Sequence, residues 1–236
     1  MISSRSAQVS KRLFDIITAA IDLAALAIPF AAIGIAIKLD SAGPVFFRQV
    51  RVGRFGSRFQ ILKFRSMTHG RLPNGELTTS LDDQVTRIGR YLRATKLDEL
   101  PQLINVLLGD MSIVGPRPES PRFVEKYSDE DRRIVLSVRP GLTDFASIAY
   151  RRENEVLAAQ RDPVDYYERV VMPAKLAYCR FYVRRASFLL DLYLIALTVF
   201  ALGSDAMGGR AKASTATARS GGRQRPKWHR PVGQRG

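Results

Sequence analysis

Two adjacent carboxylates, Asp98 and Glu99, are the side chains of this sequence best suited to nucleophilic or metal chemistry. They lie at a predicted helix start, and the cations Arg90, Arg93 and Lys96 come just before them. A helix N-terminus and nearby cations both favour the ionised form of a carboxylate. An ionised aspartate can attack phosphorus or bind Mg²⁺. The ordinary alternative is that Asp98 only caps the helix and Glu99 is only a first-turn acid.

The exact start of this helix is open between two positions. Thr95 as the N-cap would place Pro101 where a helical N–H is required. Asp98 as the N-cap would place Pro101 at the third helical position, where no donor is lost. Either start puts both carboxylates in or beside the first turn.

Further cations could complete an anion site around the carboxylate pair. Arg90 and Arg93 are three residues apart and share a face if their segment is helical. Arg117 lies between two prolines in GPRP, which restrict its backbone and could aim its guanidinium. Lys63 and Arg65 are two apart on a predicted strand and therefore point to one face. Each alone is an ordinary solvated cation, but together they predict a diphosphate site with a metal.

The overall composition excludes several kinds of site. The chain has 236 residues, of which 46% are hydrophobic, and a formal charge of +15, which favours a folded protein with an anionic partner. Cys179 is the only cysteine, so the sequence excludes an internal disulfide and a cysteine-based zinc site. With only His69 and His229, a three-histidine metal site is also excluded. No G-x-S-x-G or Walker motif is present.

An apolar run over residues 16–37 is long enough for a membrane helix, since about 20 apolar residues can cross a bilayer. Pro29 in its middle predicts a kink. Basic residues flank both ends, Lys11 and Arg12 before the run and Lys38 after it. Because the positive-inside rule then gives no direction, both ends can lie on the cytoplasmic side, which describes a re-entrant helix. An ordinary kinked spanning helix is the alternative.

Periodicity and turn residues indicate the other elements. Residues 44–65 place aromatic and β-branched side chains around Gly53 and Gly56, which predicts a β-hairpin. The apolar run 188–203 is short for a span, so we expect a buried or interfacial helix. A mobile loop is predicted at 69–84, followed by a helix over 86–108 that Gly109 ends. A charged helical stretch is predicted at 120–137 and helices over 163–203. Beyond Asp205 the composition predicts a disordered tail.

Six stretches resemble one known family, the monotopic bacterial sugar transferases, which are polyprenyl-phosphate phosphoglycosyl transferases. The combination of KLDELPQL with GDMSIVGPRP at this spacing is highly specific, and the stretches cover most of residues 11–203. They are KRLFDI at 11–16, GPVFFRQVRVG at 43–53, KFRSM at 63–67, the block from 86 to 119, VRPGLTD at 138–144 and SFLLDLYLIALT at 187–198.

The resemblance implies transfer of a sugar 1-phosphate from a UDP-sugar to undecaprenyl phosphate, with release of UMP. It implies dependence on Mg²⁺, a covalent phosphosugar on Asp98, and Glu99 as the second acid in metal binding and catalysis. The positions that match basic phosphate-site residues of the family are Lys63, Arg93 and Arg117, with Arg139 as a weaker match and Arg90 added from the spacing. The implied setting is the cytoplasmic face of a bacterial inner membrane, at the first membrane step of surface polysaccharide or glycoconjugate assembly.

These observations predict an α/β fold dominated by helices, with a re-entrant helix, a small antiparallel hairpin and amphipathic interfacial helices. The expected partners are the two substrates and membrane phospholipid, without nucleic acid, and a homodimer is left open. The short segment before Lys11 predicts a minimal catalytic unit. The predicted divisions are an N-terminal segment at 1–12, a membrane helix at 13–39 with two arms meeting at Pro29, a cytoplasmic catalytic domain at 40–203 and a basic tail at 204–236.

The sequence departs from the family pattern at two places. Many members have a Ser-Pro pair at the helix break, whereas this chain has Ile28 and Pro29. After VRPG the chain reads LTDFASI where many members read ITGWAQV, so the identity of the sugar cannot be carried over from the family.

The rival function is a membrane-tethered basic binding or scaffold protein without catalysis. The eight Lys and Arg beyond Asp205, with no acid, support that rival, although such a tail more simply contacts anionic lipid.

Overall fold

Helices dominate the computed structural model, which describes residues 5–68 and 84–215 and is 64% helical. The predicted loop at 69–84, except for Gln84, and residues 216–236 of the predicted tail lie outside the described residues. The α-helices of the described part are α1 Arg5–Ala25, α2 Ala27–Asp40, α3 Arg87–Thr95, α4 Gln102–Leu108, α5 Pro121–Val124, α6 Asp129–Val135, α7 Phe145–Ala149, α8 Glu153–Ala158, α9 Pro163–Tyr166, α10 Met172–Arg185 and α11 Phe188–Thr215.

The first two helices form two arms bent by 62°. The bend is at Leu26 rather than at Pro29, so the predicted position of the break is wrong by three residues. Pro29 is the third residue of α2, where a helix needs no N–H donor, and the chain therefore breaks just before the proline instead of at it. Among the described residues, no single helix is long and apolar enough to cross a membrane. The bent pair reaches the required length and composition only when both arms are counted together.

The polar face of α1 is buried against the rest of the chain. Asp15 is 2% exposed, and its Oδ1 accepts hydrogen bonds from the hydroxyl of Ser112 at 3.1 Å and the N–H of Ile113 at 3.0 Å. Arg12 donates from Nη1 to the carbonyl oxygen of Val106 at 2.7 Å, near the end of α4. Since buried carboxylates and helix-end carbonyls need such partners, the N-terminal helix is docked as part of the fold.

The predicted hairpin is confirmed. Strands β1 (Phe46–Val52) and β2 (Arg58–Phe64) pair antiparallel, with Phe47 opposite Lys63, and a 3₁₀ turn over Arg54–Gly56 joins them. Ile61 and Phe64 are three residues apart on β2 and therefore point to opposite faces of the strand. Ile61 is buried in one hydrophobic cluster and Phe64 in another. The first cluster contains side chains of α1, α4 and α11, and the second contains side chains of α2 and α3. The hairpin is therefore fixed on both faces.

The helix predicted over 86–108 is broken into three pieces. α3 ends at Lys96, which has a left-handed backbone with φ of 59°, and a 3₁₀ turn over Leu97–Glu99 follows before α4. Pro101 immediately precedes α4, and its missing N–H and its ring are incompatible with an uninterrupted helix. Neither predicted N-cap is therefore used, although Asp98 and Glu99 do lie in the first turn after the break. Gly109 ends α4 as predicted, with φ of 95°.

A second pair of strands, which the sequence patterns did not predict, brings two loops together. Strands β3 (Ser112–Val114) and β4 (Gly141–Thr143) are parallel. The two residues after β3 also bond to β4: the N–H of Gly115 donates to the carbonyl of Thr143 at 3.0 Å, and the carbonyl of Pro116 accepts the N–H of Gly141 at 2.9 Å. Three-residue strands are too short to show a two-residue period, so sequence periodicity could not reveal them. The pair sets the start of the GPRP loop at residues 115–118.

The last helices complete the core. Residues 120–137 form α5 and α6 rather than one stretch, and a π-helical segment over Tyr167–Val171 joins α9 to α10. In α11 one face is buried, including Leu194, while Leu189 and Phe200 on other faces are exposed. The helix continues to Thr215, so its backbone is regular for twelve residues into the tail predicted to be disordered from residue 204.

Candidate active site

Glu99 is the centre of the site, and the cations Lys63 and Arg117 converge on its carboxylate. Nζ of Lys63 lies 2.9 Å from Oε1 of Glu99. Nη1 of Arg117 donates to Oε2 at 2.9 Å, and Nη2 donates to Oε1. The three residues come from β2, from the 3₁₀ turn before α4 and from the GPRP loop, so the fold assembles a cluster that the sequence had predicted from separate motifs.

The ion pairs determine the charge of each member of this cluster. Although burial raises the pKa of Glu99, the charges of Arg117 and Lys63 outweigh it and hold that pKa well below its usual range. Glu99 in turn raises the pKa of Arg117. Burial lowers the pKa of Lys63 despite the opposing effect of Glu99. Glu99 is therefore a carboxylate acceptor that holds two cations in fixed positions.

Asp98 has a different environment. It is 8% exposed, and among the described residues its buried Oδ1 has no hydrogen-bond partner. Burial, together with the charge of Glu99, raises the pKa of Asp98, and the cations Lys63, Lys96 and Arg93 oppose this effect only in part. The prediction that its surroundings favour the ionised form is therefore wrong in direction, because burial outweighs the cations. An unpartnered oxygen beside several cations is the arrangement expected of a nucleophile or a metal ligand.

The remaining predicted cations differ in position. Arg93 lies beside the carboxylate pair and its Nε donates to the hydroxyl of Ser66 at 2.9 Å. Arg90, one turn earlier on α3, is exposed. Nε of Arg139 donates to the carbonyl of Gly109 at 2.8 Å and closes the end of α4. Arg139 therefore does not join the Asp98–Glu99 cluster in the described part of the chain, and its role at a phosphate stays a prediction.

Arg65, predicted to lie on the same face as Lys63, does not join it at Glu99 but contacts the end of α2. Its guanidinium donates to the carbonyls of Ala42 at 2.7 Å and Ser41 at 2.6 Å, at the end of α2. Lys63 therefore links β2 to the site, and Arg65, the residue after β2, links the end of this strand to the end of α2.

Asp144 is a contributor that the sequence analysis missed. It is 1% exposed, and its Oδ2 accepts the backbone N–H of Arg117 at 3.3 Å. Its Oδ1 caps α7 by accepting the N–H of Ser147 at 2.6 Å. The D-x-x-S pattern in LTDFASI is a capping signal that could have located the helix start, but not the contact with the Arg117 backbone.

The described residues contain no group of three or more His, Cys, Asp or Glu side chains that could hold a metal ion. Mg²⁺ is commonly bound by one or two carboxylates together with substrate phosphates. Oδ1 of Asp98 is unpartnered and fits such a site. Both oxygens of Glu99 accept hydrogen bonds from Lys63 and Arg117, so Glu99 supports the site mainly by holding these cations.

The sequence of this chain matches one family model and is similar to several curated proteins. The family model described as bacterial sugar transferase matches residues 6–205. UDP-glucose:undecaprenyl-phosphate glucose-1-phosphate transferase of Klebsiella pneumoniae is 39% identical over 196 residues, which is 81% of this chain and 40% of that protein. UDP-N-acetylgalactosamine-undecaprenyl-phosphate N-acetylgalactosaminephosphotransferase of Aeromonas hydrophila is 36% identical over 195 residues, 80% of this chain and 42% of that protein. The uncharacterized sugar transferase EpsL of Bacillus subtilis is 39% identical, over 81% of this chain and 86% of that protein.

The coverage differs between these relatives. The chain spans about 40% of the length of the Klebsiella and Aeromonas proteins, but most of the Bacillus protein. The two longer relatives are named for different sugars.

Proposed function

This chain belongs to the bacterial sugar transferase family, and we propose that it transfers a sugar 1-phosphate from a UDP-sugar to undecaprenyl phosphate, releasing UMP. The observation that carries the proposal is the unpartnered carboxylate oxygen of Asp98 beside Glu99, Lys63 and Arg117. Relatives named for undecaprenyl-phosphate transfer support the same reaction class. Because their names differ in the sugar, the proposal extends only to a UDP-sugar.

In the first proposed step, an ionised oxygen of Asp98 attacks the sugar-linked β-phosphorus of the UDP-sugar. The bond between this phosphorus and the bridging oxygen breaks, and UMP leaves with the electron pair. The sugar phosphate is then attached to Asp98 as a mixed anhydride. Lys63, Lys96 and Arg93 support this step because their charges favour the ionised form of Asp98 against the cost of its burial.

In the second proposed step, a phosphate oxygen of undecaprenyl phosphate attacks the same phosphorus. The bond to Asp98 breaks, the carboxylate is regenerated, and the product is a lipid diphosphate sugar. Splitting the transfer in this way means that a water-soluble and a lipid-soluble anion need not meet in one ternary complex.

The cations of the site act on the phosphates in both steps. We assign Lys63 and Arg117 to phosphate oxygens and Glu99 to holding the two cations in position. The arginine at 117 suits this role because its planar guanidinium can bind two oxygens at once. Mg²⁺ bound at Asp98 would offset negative charge on the diphosphate.

We further propose that the protein acts at the cytoplasmic face of a bacterial inner membrane, with α1 and α2 as a re-entrant pair. Large apolar side chains are exposed on both arms, among them Ile21, Ile28 and Leu39, and on α11. Such a surface suits a lipid interface, where the acceptor substrate resides. Cysteine variants at positions 8 and 40 should label from the same side of inverted vesicles, and labelling from opposite sides would contradict the re-entrant arrangement.

The decisive experiment for the reaction is intact-protein mass spectrometry. After incubation with a panel of UDP-sugars and Mg²⁺ but without lipid, the correct donor should add the mass of one phosphosugar, mapped to Asp98. Addition of undecaprenyl phosphate should remove that mass. UMP release that requires both substrates, together with an active Asp98→Asn variant, would contradict the covalent mechanism. Absence of UMP release with every donor would favour the rival binding function.

A further inference from the structure

A buried charged cluster lies behind the GPRP loop, and the proposed reaction does not use it. Its centre is Lys175 on α10, which is 8% exposed. Nζ of Lys175 is 3.3 Å from Oε1 of Glu119, 3.1 Å from Oε2 of Glu153 and 3.2 Å from the hydroxyl of Tyr167. The Tyr167 hydroxyl also donates to Glu119. A buried ammonium group is costly unless it is paired in this way, so the cluster depends on the presence of all its members.

Glu119 connects this cluster to the candidate active site. It is two residues after Arg117, and only Pro118, whose φ is fixed by its ring, lies between them. The carbonyl oxygen of Glu119 also accepts the N–H of Val52, at the end of β1, at 3.0 Å. Glu119 is therefore tied through its side chain to α10 and through its backbone to the hairpin. A shift of Glu119 would be passed to the loop that carries Arg117.

Within this cluster the ammonium group and the carboxylates stabilise each other's charged forms. Burial works against the charge of Lys175, but Glu119, Tyr167 and Glu153 raise its pKa well above the usual range. Burial likewise works against the charge of Glu119, and Lys175 is the largest of the influences that nevertheless lower its pKa. Without the ammonium group, the half-buried carboxylates of Glu119 and Glu153 would lose the cation that contacts both of them. Repulsion between the two carboxylates would then favour a displacement of Glu119.

We propose that Lys175 is a positioning residue for Arg117: by holding Glu119, it fixes the GPRP loop so that the Arg117 guanidinium meets Glu99 and the substrate diphosphate. This inference rests on the proposed function, because it takes Arg117 to bind phosphate. Lys175 itself does not touch the reacting atoms. In this proposal its effect on catalysis passes through Arg117, and the double-mutant cycle below tests that route against an effect through the hairpin.

A double-mutant cycle between Lys175→Met and Arg117→Met tests this proposal. Lys175→Met should lower kcat/KM for the UDP-sugar by about 10²-fold, the loss typical of a misplacement of about 1 Å. In the Arg117→Met background, the same change should add less than about twofold, since its effect requires the guanidinium. Lys175→Arg, which keeps the charge, should restore most of the activity. Independent effects that multiply, or a folded Lys175→Met protein with wild-type kcat/KM, would overturn the proposal.

Arg180→Met provides a matched control, because Arg180 is also on α10 but forms its ion pair with Asp131 of α6 and not with a residue of the GPRP loop or with Glu119. It should reduce thermal stability but change kcat/KM by less than about twofold. If Lys175→Met fails to fold, Glu119→Gln replaces it, because the amide keeps an acceptor for Tyr167 and removes the charge that Lys175 holds. The same coupling to Arg117 is expected. A wild-type kcat/KM for Arg117→Met alone would instead contradict the role of Arg117 in the proposed function.

Discussion

Arg117 and Glu99 are joined by two parallel hydrogen bonds, Nη1 to Oε2 at 2.9 Å and Nη2 to Oε1. This forked geometry fixes the plane of the guanidinium as well as its position. Lys63, on strand β2 of the hairpin, also donates to Oε1 of Glu99. The cations are thus oriented by the protein itself, which reduces the reorganisation required when charge develops on a phosphate.

Replacing Asp98 should separate catalysis from folding. Asp98→Asn replaces the carboxylate by a neutral amide that cannot act as the nucleophile, so UMP release should fall by about 10³-fold or more. Because burial raises the pKa of Asp98, its ionised form is the costly one, and the neutral amide should leave the melting temperature unchanged or raise it. UMP release and thermal melting, both measured in one buffer, check both parts. A variant with normal turnover would exclude Asp98 as the nucleophile.

Glu99→Gln should reveal a pH-dependent contribution to stability. The pKa of Glu99 is lower in the folded protein than its unperturbed value of 4.5, so its ionised form stabilises the fold above about pH 4.5, and this contribution is lost as the pH falls further. We expect a loss of about 3 kcal/mol in the free energy of unfolding at pH 7. The difference from wild type should shrink in acid. Chemical denaturation at pH 7 and below pH 4.5 measures it.

Glu130→Gln is the matched control for that experiment. Glu130 pairs with Arg184 at 3.0 Å, but both side chains are more than half exposed. Such surface pairs contribute little, so its effect should be small at either pH. A gap for Glu99→Gln that does not change with pH would show that the carboxylate charge is not the source of its stabilisation.

Arg65→Met should destabilise the fold without removing a side chain of the site. Arg65 is 4% exposed, and it satisfies the carbonyls of Ser41 and Ala42 at the end of α2. Leaving these groups without a donor should cost about 2–3 kcal/mol. Thermal or chemical unfolding measures the loss, and Arg48→Met, at an exposed position of β1, should change it by less than about 0.5 kcal/mol. Equal effects of the two changes would contradict the capping role.

Gly141→Ala should disrupt the contact between the two short strands. A Cβ at residue 141 would lie 2.0 Å from the backbone nitrogen of Gly115, and backbone atoms cannot move aside as a side chain can. We expect a loss of about 3 kcal/mol or more, or failure to fold. Gly34→Ala in α2 is the control, since its Cβ would meet Val45 at an ordinary 3.5 Å. Unfolding curves of the two variants should differ clearly, and a stable Gly141→Ala protein would contradict the close approach.

The sequence predicted the composition of the site better than its electrostatics. Motif spacing identified Lys63, Glu99 and Arg117, and the structure brings all three together. The raised pKa of Asp98 could not be foreseen, because it depends on burial by residues distant in the chain. The left-handed turn at Lys96 was missed for a related reason, since lysine carries no local signal for that conformation.

The packing of α1 has a practical consequence for the design of shorter fragments of this protein. Lys11 lies 2.6 Å from Asp191, a carboxylate of α11 that is 2% exposed and also accepts a hydrogen bond from Tyr182. Ala19, on the same helix, is completely buried. A truncation starting at residue 40 would remove not a tether but one wall of the interior, and would strip Asp191 of its counter-ion. Residues 40–203 therefore do not form a core that is independent of α1.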